Sequence, residues 1–251
     1  MSDAVDRGWR RRARPLLGTL VEIGLRSAPG DQGGAIAAAL TAVSEVQCCL
    51  SRFDPDSDVS RFHALRCGQS VPMRPATKAV LAAAWELHLA SDGDFDISLG
   101  TASLGWRCDG DELRKLVAHT RLDAGGLAKG YAVDLAVQAL IDLGCAAGWV
   151  NAGGDLRVFG EVDLPIHVRD ESTGGVRRFA TLREGAFATS HFDDGSRSAL
   201  VNRRRAPDVR GHVSVAAPQC LWADALTKVV AIRGDTSDPI LARFQASAWT
   251  H

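Results

Sequence analysis

The sequence lacks an excess of charge of either sign, and it lacks a long hydrophobic run. Its 29 Lys and Arg residues almost balance 30 Asp and Glu residues, which gives a formal net charge of −1. This balance does not favour nucleic-acid binding, and no apolar run approaches the roughly 18 residues of a membrane-spanning helix. With 251 residues, 46% of them hydrophobic, the chain can form a substantial core. We therefore expect one domain over residues 1–251, with no nucleic acid and no membrane span.

The sequence also lacks cysteines at the spacing of a metal site. The six cysteines form no CxxC pair and have no histidine at the spacing of a zinc site. An even count permits disulfides, but Cys48 and Cys49 fall within an apolar helical pattern, which favours reduced thiols packed in the core.

The sequence as written also lacks a secretory leader. Its N-terminal segment is rich in arginine, but no apolar h-region follows, and residues 21–23 already alternate as a strand. We expect residues 1–14 to form a flexible basic tail, and we expect the protein either to be cytoplasmic or to have lost its leader. The arginines of this segment are Arg7, Arg10, Arg11, Arg12 and Arg14.

Hydrophobic periodicity predicts strands grouped in runs, with helices set apart from them. This grouping indicates an α+β fold. Helices are predicted at 34–50, 75–90, 223–232 and 239–244, the last with Asp238 as its cap. Strands are predicted at 19–25, 149–150, 156–159, 166–168, 179–182, 186–188, 199–201 and 213–216.

Residues 122–140, LDAGGLAKGYAVDLAVQAL, predict a turn that leads directly into a helix. Gly125 and Gly126 let a ligand approach the backbone, and Lys129 places a cation where the helix dipole favours an anion. Bound phosphate would supply the missing negative charge. The alternative is an ordinary capped core helix with a surface lysine. The predicted buried stripe is Leu127, Tyr131, Leu135 and Ala139, with Ala132 and Ala136.

The wider string from Asp123 to Asp134 resembles D-x-G-G-I-A-K-G-x-x-x-D, the signature of the ApbE flavin transferases (FAD:protein FMN transferases). Six further segments resemble motifs of that family in the same order. They are LGT at 17–19, SRFDPDSDVS at 51–60, GDFDI at 93–97, NAGGD at 151–155, ATS at 188–190 and ADAL at 223–226.

The resemblance implies an ApbE-like, T-fold-related architecture of antiparallel sheets and helices, with a flavin nucleotide in a cleft between lobes. It implies transfer of FMN from FAD to a threonine hydroxyl of a flavoprotein, with release of AMP. The implied FAD-binding residues are Ser51, Phe53 (where tyrosine is usual), Ser57, Asp58, Asp123, Gly125, Gly126, Lys129, Asn151, Gly153, Gly154, Asp155, Thr189 and Ser190. The implied Mg²⁺ ligands are Asp224, the Ala128 carbonyl and Thr227.

Two departures from the family pattern affect the chemistry. The family string H-x-x-D-P-x-T-G aligns with residues 199–206, where Ala199 and Asn202 replace histidine and aspartate. His191, directly after Ser190, is therefore a candidate catalytic base, and His212, a few residues beyond this string, is an alternative one. The family's A-D-A-L-x-T places threonine four residues after aspartate, where this chain has Lys228. Asp224 and Lys228 share a helical face, so the ammonium can substitute for the metal, although an ordinary surface ion pair is the alternative.

Three functions therefore remain open: an active flavin transferase, an FAD-binding protein that has lost transfer, and a flavin-nucleotide pyrophosphatase. The expected partners are FAD and an acceptor flavoprotein with a threonine motif. The expected assembly is a monomer or a homodimer.

Overall fold

A computed structural model describes residues 8–26, 30–170, 173–193 and 208–251. Its helices and strands confirm the α+β class. The helices are α1 (Gln32–Leu50), α2 (Asp58–Ala64), α3 (Pro75–Ala90), α4 (Ala128–Asp142), α5 (Cys220–Arg233) and α6 (Ile240–Arg243). The strands are β1 (Trp9–Leu16), β2 (Thr19–Arg26), β3 (Ser70–Pro72), β4 (Trp106–Asp109), β5 (Glu112–Lys115), β6 (Gly148–Ala152), β7 (Asp155–Phe159), β8 (Leu164–Asp170), β9 (Gly175–Leu182), β10 (Gly185–Phe192), β11 (Gly211–Ala217) and β12 (Ser247–Thr250).

The main sheet is antiparallel, and its described strands lie in the order β1-β2-β6-β7-β10-β11-β12. Strand alternation turns Val21, Ile23 and Leu25 of β2 into the core, where all three are fully buried. Helices α1, α4 and α5 form the layer packed on this sheet. A smaller sheet, β3-β5-β4, and the hairpin β8-β9 complete the described structure.

A two-residue hairpin turn links β6 to β7. Ala152 pairs with Asp155, and Gly153 and Gly154 between them adopt φ angles of 65° and 104°. Such positive angles favour glycine, and the Asn151 side chain accepts a bond of 2.9 Å from the Gly154 amide. The NAGGD segment is therefore a hairpin turn that fixes Asp155 at the first position of β7.

Helices α4 and α5 approach each other closely at Gly130. A Cβ atom added there would overlap the Cys220 carbonyl, so glycine is required where α5 begins. The buried face of α4 is Gly130, Ala132, Val133, Ala136, Val137 and Leu140. The predicted stripe was wrong for Tyr131, Leu135 and Ala139, which are only half-buried. Helix α4 packs against α1, α5 and the sheet at once, so its buried face is wider than one stripe and includes Val133 and Val137.

The N-terminal segment corrects another expectation. Residues 9–14 are not a flexible tail, because β1 pairs with β2 from Trp9 through Leu16. The arginines of β1 are exposed on an edge strand, where charged side chains are tolerated.

The other helices and strands follow the predictions with two exceptions. The helix at 239–244 shortens to α6, which has Pro239 at the cap position, but the Asp238 side chain accepts from the Ile240 amide at 2.9 Å, as predicted for a cap. The predicted strand at 199–201 lies outside the described residues. The sequence did not predict α2, β1, β3, β4, β5 or β12.

The cysteines and α1 bear on two further expectations. The thiols carry no disulfide, but only Cys49 and Cys220 are buried, whereas Cys48, Cys67 and Cys108 are exposed. By length and composition α1 could cross a membrane. Its Ile36 and Val43 are nevertheless fully buried in the core of this fold, as expected for a packed core helix.

Candidate functional site

The paired-glycine turn leads directly into α4, as predicted. Asp123 accepts a bond of 2.8 Å from the Gly125 amide, and a Cβ added at Gly125 would come within 2.9 Å of the same carboxylate oxygen. A larger side chain at position 125 would therefore displace the Asp123 carboxylate from the turn. Helix α4 has no side-chain cap at its N-terminus. Its first turn thus retains the positive end of the helix dipole without a protein anion placed as a cap.

Lys129 extends from this first turn to the start of β7. Its ammonium forms an ion pair with Asp155 and lies 3.9 Å from Asp224 Oδ2. The Lys129 side chain is 33% exposed, whereas both carboxylates are buried. Burial lowers the pKa of Lys129, nearby Asp224 opposes this change, and Lys228 adds to it. Of these three charged side chains, Lys129 is therefore the one that solvent can reach.

Asp224 and Lys228 lie together inside the protein, one turn apart on α5. The Lys228 ammonium donates to Asp224 Oδ1, to the Asp224 carbonyl at 2.8 Å and to Ser190 Oγ at 3.1 Å. Thr227 Oγ1 donates to the Asp224 carbonyl at 2.7 Å and lies 2.9 Å from Ser190 Oγ. Lys129, Asp155, Ser190, Asp224, Thr227 and Lys228 are hereafter called the lysine cluster. Its two ammonium groups balance its two carboxylates.

Asp134 positions the helix that carries half of this cluster. Its carboxylate accepts from the backbone amides of Cys220 and Leu221 at 2.9 and 2.8 Å, and it pairs with Arg157 at 2.8 Å. Burial raises the pKa of Asp134, but the two amides and Arg157 favour its ionised form. Sequence reasoning assigned Asp134 no role, although the motif that begins at Asp123 ends there.

The lysine cluster does not fit Mg²⁺. Magnesium requires about six oxygen ligands at roughly 2.0–2.1 Å in octahedral geometry. Here one oxygen of Asp224 is taken by an ammonium, the other has an ammonium 3.9 Å away, and the Thr227 hydroxyl is bound to its own helix. Within the described ranges no group of three His, Cys, Asp or Glu side chains could hold a metal. The predicted ligand set of Asp224, Thr227 and the Ala128 carbonyl therefore meets a site already filled by Lys228.

Strand β10 separates the residues of the ATS segment. Ser190 faces α5 and bonds Thr227 and Lys228, as described above. Thr189 bonds Ser214 on the other face of the sheet, and His191 shares that face, where its ring bonds His212 and Asp193. Neither side chain enters the lysine cluster, and the predicted flavin contact of Thr189 and the predicted catalytic role of His191 stay predictions. The aligned positions Ala199 and Asn202 lie outside the described residues.

The predicted FAD-binding residues of segment 51–60 also lie in different environments, some buried and one exposed. Ser57 caps α2 by accepting from the Ser60 amide at 2.9 Å, and buried Asp58 bonds Arg74 and Thr77. Both are fully buried, so they hold this segment together and are closed to a flavin. Ser51 terminates α1, and its hydroxyl accepts from the Phe53 amide at 3.2 Å. Of the four residues predicted to bind FAD in this segment, Phe53 is the one whose side chain is exposed.

Phe53 is 84% exposed and lies beside the glycine turn through Arg52. The Arg52 guanidinium lies 4.9 Å from the Phe53 ring centre and bonds Asp123 at 3.0 Å. Sequence reasoning missed Arg52, although it falls between two motif residues. Two surface cavities of about 330 and 450 Å³ lie elsewhere, between β1 and α1 and beside α6 and β12.

Comparison with known proteins agrees with these motifs. A family model described as the ApbE family matches residues 17–248. An FAD:protein FMN transferase of Rhodobacter capsulatus is 27% identical over 271 residues, covering 90% of this chain and 52% of the relative. A protein of the same name from Chlamydia trachomatis is 28% identical over 141 residues, covering 45% of this chain and 44% of the relative. The chain thus spans about half the length of the curated relatives it matches.

Solved structures show the same fold. The flavin transferase ApbE from Vibrio cholerae superposes with a TM-score of 0.82 at 20% identity, over 96% of this chain and 93% of that one. The ApbE protein of Thermotoga maritima gives a TM-score of 0.79 at 22% identity, over 94% and 91% of the two chains. At these identities the superpositions support the fold, while the match to the family model supports membership.

Proposed function

The chain belongs to the ApbE family, and from this premise we propose that it transfers FMN from FAD to a threonine hydroxyl of an acceptor flavoprotein. The hydroxyl oxygen forms a bond to the phosphorus on the FMN side of the pyrophosphate. The bond from that phosphorus to the bridging oxygen breaks, the hydroxyl loses its proton, and AMP leaves with the bridging oxygen. The names of the two curated relatives support this reaction.

The observation that carries the proposal is the position of Lys129. It combines a partly exposed ammonium with the first turn of a helix that has no side-chain cap and that directly follows the paired-glycine turn. Pyrophosphate bound there would accept from Lys129 and meet the positive end of the α4 dipole. Lys129 would then exchange some of its contact with Asp155 for contact with phosphate.

The remaining residues suit binding more than proton transfer. The exposed Phe53 ring, with Arg52 beside it, offers a surface on which an isoalloxazine or adenine ring can stack. Lys228 neutralises Asp224, so a pyrophosphate would meet a neutral cluster rather than a negative one. In the described part of the chain no imidazole contacts the lysine cluster. We propose no step for Mg²⁺, because the residues present do not fit it.

A single incubation tests the proposal. The purified protein is mixed with FAD and a peptide that carries a threonine acceptor motif, and the products are separated by chromatography and mass spectrometry. Peptide that gains the mass of FMN, with an equal amount of AMP, supports transfer. Bound FAD without turnover indicates that transfer has been lost, and free FMN with AMP indicates hydrolysis.

Lys129→Ala should weaken FAD binding. A charge-assisted hydrogen bond to a phosphate contributes about 1.5–3 kcal/mol, which corresponds to a roughly tenfold or greater rise in Kd. Fluorescence titration with FAD measures this change. Lys78→Ala serves as the matched control, because Lys78 also pairs with an aspartate, Asp111, but on the exposed surface of α3.

The loss of affinity must be separated from a loss of folding, because Lys129→Ala leaves Asp155 buried without its partner. The double variant Lys129→Gln, Asp155→Asn replaces the ion pair with a neutral amide pair. If this variant folds with a wild-type circular dichroism spectrum and still binds FAD as tightly as the parent, Lys129 does not contact the pyrophosphate.

A further inference from the structure

Every hydrogen of the Lys228 ammonium has an acceptor inside the protein. A protonated lysine carries three N–H donors. Those of Lys228 go to Asp224 Oδ1, the Asp224 carbonyl and Ser190 Oγ. The side chain is only 5% exposed, so water does not compete for these donors. Such an arrangement differs from a surface ion pair, in which both partners remain hydrated.

The buried Asp224 carboxylate explains why an ammonium group is stable at this position. This carboxylate is fully buried, and a buried carboxylate is unstable unless a positive charge compensates it. Its Oδ1 atom is compensated by Lys228. Its Oδ2 atom accepts no hydrogen bond in the described structure and has Lys129 at 3.9 Å. A divalent ion next to Asp224 would have to coexist with two ammonium groups, which repel it.

The same arrangement matters for the anion that Lys129 is proposed to bind. Without Lys228, the Asp224 charge would lie near Lys129 uncompensated and would repel an incoming phosphate. With Lys228 present, the Asp224 carboxylate is compensated within α5 itself, and the Lys129 charge remains available to the ligand.

We propose that Lys228 is a built-in cation, which takes the place of a divalent metal at Asp224 and makes nucleotide binding independent of divalent cations. Lys228 acts through Asp224 and does not itself donate to the phosphate, because its three donors are already used. The choice of FAD as the nucleotide rests on the proposed function. The exclusion of metal from Asp224 does not, since it follows from the contacts of the free protein.

The first test uses Mg²⁺ alone, titrated into the FAD-free protein by isothermal titration calorimetry. The wild type should take up no Mg²⁺ at millimolar concentrations. Lys228→Thr should gain saturable binding, which adding Asp224→Asn should abolish. Lys78→Thr is the matched control, because it also removes the lysine partner of an aspartate, but on the surface, and should gain none.

The second test compares FAD affinity in EDTA and in Mg²⁺. The wild-type Kd should be the same in both, whereas Mg²⁺ should lower the Kd of Lys228→Thr by about tenfold, within the usual range for two coupled ligands. Wild-type protein that binds Mg²⁺ through Asp224, or that loses FAD affinity in EDTA, overturns the proposal. A folded Lys228→Thr variant that gains no Mg²⁺ binding overturns it as well.

The two proposals can fail separately. If the wild type binds no FAD under either condition, the proposed function is wrong, while the Mg²⁺ titration still decides whether Lys228 excludes the metal. If Lys228→Thr does not fold, the wild-type titration, compared with Asp224→Asn, gives the same decision.

Discussion

Among single residues, His63 couples the charge state of a half-buried ring to the loop before the glycine turn. Its Nε2 atom lies 2.9 Å from the Leu122 amide and 3.1 Å from the Leu122 carbonyl, one residue before Asp123. Burial lowers the pKa of His63, Arg121 and Lys115 add to this, and the Leu122 carbonyl and Asp123 oppose it. The neutral ring is therefore the form that suits the folded protein.

This pKa change predicts a pH dependence of stability. The folded-state pKa of His63 lies below its unfolded value of about 6.5. The contribution of His63 to the free energy of unfolding is therefore fully present above about pH 6.5 and is lost as the pH falls through the folded-state pKa. Urea unfolding at pH 7.5 and pH 5.5 should show a drop in the free energy of unfolding that is smaller for His63→Gln. Equal drops in the two proteins would show that His63 does not cause the pH dependence of stability.

The motif at 188–190 did not show on which face of the main sheet Ser190 and the adjacent His191 would lie. The two are adjacent, and the motif pointed to both, yet strand alternation places them on opposite faces of the main sheet. The boundary and register of β10 decide which face receives which side chain. Those depend on pairing with β7 and β11, far along the chain.

Among secondary-structure elements, the contact between α4 and α5 organises the site. Gly130 lets the two helices approach, and Asp134 accepts the first amides of α5, so a residue of one helix serves as the N-terminal cap of the other. Helix α5 then presents Asp224 and Lys228 to Lys129, which projects from α4. The final aspartate of the central motif therefore explains how two separate motifs meet.

Asp134→Ala should destabilise the protein by about 2–4 kcal/mol, because two buried amides and Arg157 all lose a charged acceptor. Asp31→Ala is a matched control, since Asp31 caps α1 through Gly34 at 3.0 Å but is exposed, and should cost only about 0.5–1 kcal/mol. Chemical denaturation measures both. If the two variants lose equal stability, the bond from α4 to α5 is no more than an ordinary cap.

At the scale of the whole molecule, the sequence predicted elements better than their assembly. Helical periodicity located α1 and α3, and the glycine pair located the hairpin of β6 and β7, because these signals are local. The five arginines near the N-terminus concealed β1, since an edge strand can carry charge that a central strand cannot. The motifs supplied Lys129, Asp155 and Asp224, but only the packing of α4 and α5 on the sheet brings them together.

Removal of residues 1–16 tests how the edge of the main sheet contributes to the whole fold. The deletion takes away the eight pairs between β1 and β2, and with them half-buried Trp9 and the Arg11 guanidinium that lies 5.8 Å from the Trp149 ring centre. We expect a loss of at least about 2 kcal/mol, or roughly 4–8 °C in Tm for a chain of this size. Differential scanning calorimetry measures the change.

Two controls separate the strand from its charges. Removal of residues 1–7 leaves every pair between β1 and β2 in place and should lower Tm by less than removal of residues 1–16. The triple variant Arg10→Gln, Arg12→Gln, Arg14→Gln should shift the free energy of unfolding by no more than about 0.5 kcal/mol per site, because these exposed side chains form no ion pair within the described ranges. If the two deletions were to melt at the same temperature, β1 would contribute nothing to the stability of the sheet, and residues 1–14 would behave as the tail that their composition suggests.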